Sequence, residues 1–135
     1  MRELTKIFKA LSDESRLRVL SLLMERECCV CEVMQVMGIS QSKASRALSA
    51  LYDAGLVNLR RDGRWALYSI DREGMKDYAK DILSGVTKAL EGNVLAAQDR
   101  EKLKRAERVG PECVTRTCRG RLVSDASEPR LAGEG

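Results

Sequence analysis

The chain has 135 residues, a third of them charged, with a formal net charge of +4, five cysteines and no histidine. That length accommodates one domain and a tail, no stretch reaches the ~20 apolar residues of a membrane span, and an odd cysteine count argues against a closed disulfide framework. There is no histidine, no Gly-rich phosphate loop and no Ser or Cys nucleophile beside a recognisable base, so neither an enzyme nor an organic cofactor is expected.

Leu4, Ile7, Phe8 and Leu11 recur at helical spacing and predict a first amphipathic helix over 3–11. Ser12 and Asp13 stop it and cap a second, with Leu17, Leu20, Leu23 and Met24 on one face. A short third helix is expected from about Val30 to Met37, closed by Gly38, where a left-handed backbone is needed. Ser40 then caps a fourth helix, 41–54, with Ala44, Ala47, Leu48 and Leu51 inward. Helix, tight Gly-containing turn and helix is the helix-turn-helix pattern.

Leu56, Val57 and Leu59 lead into Asp62-Gly63, a preferred hairpin turn, and Trp65, Leu67, Tyr68 and Ile70 return. A hairpin in that position is a wing. From Asp71 to about Val109 the periodicity predicts one long helix, with Met75, Tyr78, Ile82, Val86 and Leu90 in a stripe and Leu83, Leu95 and Leu103 extending it. Aromatics make up only 4% of the chain, so the core of so small a domain is marginal. The first and last helices are therefore expected to pair across a homodimer interface. Gly110-Pro111 ends the helix, and residues 110–135 read as a flexible polar tail that carries Cys113 and Cys118. The expected fold is thus mainly α with a small β-hairpin, a winged helix-turn-helix over 1–109 followed by the tail 110–135.

The outward face of the fourth helix carries Gln41, Ser42, Lys43, Ser45, Arg46 and Ser49, short polar groups and cations suited to base edges and phosphates in a major groove. The wing adds Arg60, Arg61 and Arg64. Over residues 40–66 these five cations face only Asp53 and Asp62, so most of the net charge lies on one expected DNA-binding surface. Lys43 and the wing arginines suit phosphate; Gln41, Ser42 and Arg46 suit sequence choice. A dimer would set two recognition helices about 34 Å apart, spaced for an inverted repeat in double-stranded DNA.

The segment from Glu27 to Ile70, "ECCVCEVMQVMGISQSKASRALSALYDAGLVNLRRDGRWALYSI", resembles the ArsR/SmtB family of metal-responsive winged-helix repressors, arsenite-sensor type. Its "CVCE" at 29–32 is similar to the family's CVCD/CVGD box, "SQSKASRALSALYDAGLV" to its recognition helix and "RRDGRWALYSI" to its wing. With the flanking helices the resemblance covers about residues 1–105. It implies a homodimer that holds an operator when metal-free and releases it when metal binds; the N-terminal "MRELTKIFKAL" lacks the apolar region of a signal peptide, so a cytoplasmic location is expected.

Thiolates without imidazole select thiophilic ions. The resemblance implies Cys29 and Cys31 as two ligands of trivalent arsenic or antimony. The family's third box cysteine is replaced by Met34, so a third thiolate must come from Cys28, Cys113 or Cys118. Residues i and i+2 lie roughly 200° apart on an ideal helix, so ion binding at Cys29 and Cys31 is expected to unwind the start of the third helix and shift the fourth. A cadmium- or lead-responsive repressor, or a thiol-redox-responsive one, is the alternative.

Overall fold

A computed structural model describes residues 1–108. In chain order these form α1 (Arg2–Leu11), α2 (Glu14–Glu25), β1 (Cys28–Cys29), α3 (Val30–Met37), α4 (Gln41–Asp53), β2 (Val57–Asp62), β3 (Trp65–Ile70), α5 (Asp77–Leu90) and α6 (Val94–Arg105). The six helices surround a core centred on Leu20, Leu22, Leu48, Leu51, Leu56 and Leu67, all fully buried, with the small sheet at one side. No helix among the described residues is long and apolar enough to cross a membrane.

Capping chemistry sets the first boundaries. The Asp13 carboxylate accepts from Arg16 N–H at 3.0 Å, and the Arg16 guanidinium turns back onto the α1 carbonyls of Ala10 (2.7 Å) and Lys9 (2.9 Å). The Ser40 hydroxyl caps α4 by accepting from Lys43 N–H at 3.1 Å. Between α3 and α4, Gly38 takes φ 65° and donates its N–H to Met34 O at 2.8 Å. A Cβ there would meet nothing within 4 Å, so the cost of a side chain is conformational. Gly38→Ala is expected to lower unfolding stability by about 1 kcal/mol in urea titration.

Three features depart from the sequence reading. First, the hairpin pairs Asp62 with Trp65, so the two-residue loop is Gly63-Arg64, with Gly63 at φ 64°. Second, the sheet has three strands in the order β1-β3-β2, because Cys28 and Cys29 lie antiparallel to β3 opposite Tyr68 and Leu67. Third, the long helix expected from Asp71 to Val109 is two. Gly92 at φ 78° breaks it and the Asn93 side chain, accepting from Ala96 N–H at 2.9 Å, starts α6.

After that break α6 folds back onto α2 and α3. Asp99, fully buried, accepts two bonds from the Arg18 guanidinium of α2, each 2.9 Å, and Leu103 enters the core. The last helix is therefore engaged within its own chain. Apolar side chains remain open on α1 and α5 instead: Phe8 and Tyr78 are exposed, and Leu4, Leu11, Ile82 and Val86 are half-buried.

Candidate functional site

Cys29 is extended (φ −94°, ψ 170°) and occupies the N-cap of α3, while Cys31 sits in the first helical turn. Their sulfurs are 2.9 Å apart, and both residues are buried. The expected ~200° separation assumed both on a helix. It does not apply, because β1 holds Cys29 outside the helix and turns its side chain toward Cys31. The two sulfurs converge without any unwinding of α3.

Cys28 is different. Successive strand residues face opposite ways, and the Cys28 thiol donates to Arg26 O at 3.4 Å. Burial, reinforced by the negative charge of Glu32, pushes this thiol up to about 12. Met34 is buried on α3, a thioether one turn beyond Cys31. Among the described residues no three His, Cys, Asp or Glu side chains are grouped to hold a metal ion. Cys113 and Cys118 lie outside the described residues.

A charged frame surrounds the sulfur pair. Glu32 is buried; its carboxylate accepts from Cys29 N–H at 2.8 Å, from Arg26 at 2.8 Å and from Arg108 at 3.1 Å. Arg26 also donates to Glu27 O and Leu103 O, each at 3.1 Å. Arg108 donates to Glu27 O at 3.3 Å and lies 5.6 Å over the Trp65 ring. Gln35 and Glu107 exchange two bonds, of 2.7 and 3.1 Å, so the chain after α6 runs along α3 to the thiol site. Glu32 was legible as the third helical residue of a capping box in which Cys29 stands where Ser or Thr is usual. Arg26, Glu27 and Arg108 carried no such signal.

The surface expected to meet DNA is assembled by α4 and the wing. Ser42, Lys43, Arg46 and Ser49 are exposed and Gln41 and Ser45 half-buried, while Ala44, Ala47, Leu48 and Leu51 face inward. Arg61 and Arg64 project from the hairpin. Arg60 is exposed too, but both its donors are engaged by Glu27, at 2.7 and 2.8 Å. That bidentate pair holds the Glu27 carboxyl below the usual range and the Arg60 guanidinium above its own.

Residues 13–58 match the family described as "Bacterial regulatory protein, arsR family". The chain is 34% identical over 91 residues to the arsenical resistance operon repressor of Staphylococcus xylosus, covering 67% of this chain and 86% of that protein. It is 37% identical over 75 residues to a cadmium resistance transcriptional regulatory protein CadC homolog of Staphylococcus aureus, covering 55% of this chain. The chain spans 52–65% of the length of that relative and two other curated ones. In three dimensions it is similar to the homodimeric winged helix-turn-helix DNA-binding domain of a possible ArsR-family transcriptional regulator from Mycobacterium bovis. There the TM-score is 0.57 and the identity 27%, over 69% of this chain and 82% of the other. Winged helix-turn-helix architecture, cysteine box and sequence relationship agree, and the chain belongs to the arsR family of bacterial regulatory proteins.

Proposed function

We propose that this protein is a cytoplasmic, homodimeric transcriptional repressor that releases an inverted-repeat operator when trivalent arsenic or antimony binds its cysteine thiolates. Cys29 and Cys31 are the two core ligands, and the third thiolate comes from Cys113 or Cys118 in the tail 110–135. Gln41, Ser42, Lys43, Ser45, Arg46, Arg61 and Arg64 meet the DNA, and the dimer forms through the open apolar sides of α1 and α5. The observation that carries the reading is the 2.9 Å approach of the Cys29 and Cys31 sulfurs at the start of the helix that packs on α4.

A soft ion with bonds of ~2.3 Å to each sulfur spans a pair about 3.3 Å apart at a right angle. The pair therefore opens by a few tenths of an ångström to take it. Cys28 is a poor third ligand because its strand position turns it away and its thiol is bonded to Arg26 O. Since β1 belongs to the wing sheet and α3 to the helix-turn-helix, displacement of Cys29 acts on both DNA-reading elements. Release then follows from linkage: the ion favours the displaced arrangement, DNA the other. Likeness to a cadmium resistance regulator makes cadmium the second inducer to test.

The test is fluorescence anisotropy of the reduced protein on its own promoter DNA, titrated with arsenite, cadmium and peroxide. Arsenite is expected to weaken binding by about 5–150-fold. Cys29→Ser and Cys31→Ser should abolish that response, Cys113→Ser/Cys118→Ser should weaken it, and Cys28→Ser should keep it. Release by cadmium or peroxide alone overturns the arsenical reading, and an intact response in Cys28→Ser beside a weakened one in the tail pair assigns the third ligand.

A further inference from the structure

The ion pair between Glu27 and Arg60 joins the segment before the cysteines to the wing. Strand register sets Cys29 opposite Leu67 and Leu67 opposite Arg60, so a thiol ligand and a wing cation stand in one row across the sheet. Glu27 lies two residues before Cys29, and its carbonyl is gripped by both Arg26 and Arg108, the cations that bind Glu32. Its carboxylate reaches the wing and takes both Arg60 donors at 2.7 and 2.8 Å. Bidentate charge-assisted bonds fix orientation as well as distance.

We propose that Arg60 is a positioning residue: held by Glu27, it ties the wing to the thiol segment and makes no phosphate contact. The tether carries displacement at Cys29 to Arg61 and Arg64, one and four residues further along the hairpin. This rests on the repressor reading for its inducer, while the engagement of Arg60 is independent of it. An exposed pair contributes little to stability, so the effect is sought in coupling and in salt dependence.

The full-length wild type, Glu27→Gln, Arg60→Gln, the double variant, Arg61→Gln and Arg64→Gln are compared on promoter DNA across salt concentrations, with and without arsenite or cadmium. Arg61→Gln and Arg64→Gln should each make the log–log salt slope shallower by about 0.9 per subunit, and Arg60→Gln should leave it at the wild-type value. The factor by which the inducer weakens DNA binding should fall threefold or more in Glu27→Gln and in Arg60→Gln, and no further in the double variant. A slope in Arg60→Gln that drops like that of Arg61→Gln, or an inducer factor unchanged in all three tether variants, overturns the proposal. If neither ion releases the wild type, the metal-responsive reading fails, and the salt slopes still decide whether Arg60 touches phosphate.

Discussion

Lys43→Ala/Arg61→Ala/Arg64→Ala is expected to bind operator DNA roughly 10³-fold more weakly than wild type near 150 mM salt, with a much shallower salt slope. All three side chains are exposed, and none of the described bonds or ion pairs engages their charged ends. In a dimer they offer six cations to phosphate. At about 0.9 per neutralised phosphate the slope falls by roughly five, which is the signature of lost counterion release rather than of misfolding. Because exposed positions usually move stability by less than ~0.5 kcal/mol, the urea midpoint should stay put. A loss of affinity at unchanged slope would mean that these cations do not face phosphate. Arg46→Ala should behave differently, relaxing choice at one base position by about 1–3 kcal/mol.

The second large effect concerns stability. Arg18→Met is expected to lower unfolding free energy by about 3 kcal/mol, because it leaves the Asp99 carboxylate buried with no cation opposite it. Arg18 itself is about a quarter exposed, so Asp99→Asn, which leaves the guanidinium partly hydrated, should cost less. Arg18→Met/Asp99→Leu should recover most of the loss, since an apolar pair of similar volume requires no desolvation of charge. Urea titrations of the four proteins decide the matter; a double variant as unstable as Arg18→Met would show that the pair is needed for its geometry. The consequence is not confined to the core. The helix that Asp99 pins also presents Leu103 O to Arg26 and leads to Glu107 and Arg108 beside Glu32.

Local signals are decisive where one residue type has one physical use. Gly38 and Ser40 marked the turn and cap of the helix-turn-helix, alternation marked the wing, and the inward set Ala44, Ala47, Leu48 and Leu51 is buried as expected. Periodicity misleads where punctuation interrupts it: Glu91-Gly92-Asn93 is a stop followed by a cap, although the apolar stripe continues on both sides of it. The remaining features were beyond local inspection. Arg18 and Asp99 are 81 residues apart, and a two-residue strand has no pattern of its own. The cysteine box stands out in the sequence, but the direction of Cys29 depends on β1, which exists only once β3 is in place to pair with it.

The break at Gly92 also decides where the end of α6 comes to lie. A single helix over the expected 39 residues would be ~58 Å long and would carry the end of the chain far from the cysteine box. The reversal instead delivers Arg108 to Glu32, against the backbone of Cys29. Cys113 is five residues further on, and five residues span at most about 18 Å. On the proposed reading, a third bond from Cys113 would then be an intramolecular step, one that does not depend on how dilute the protein is.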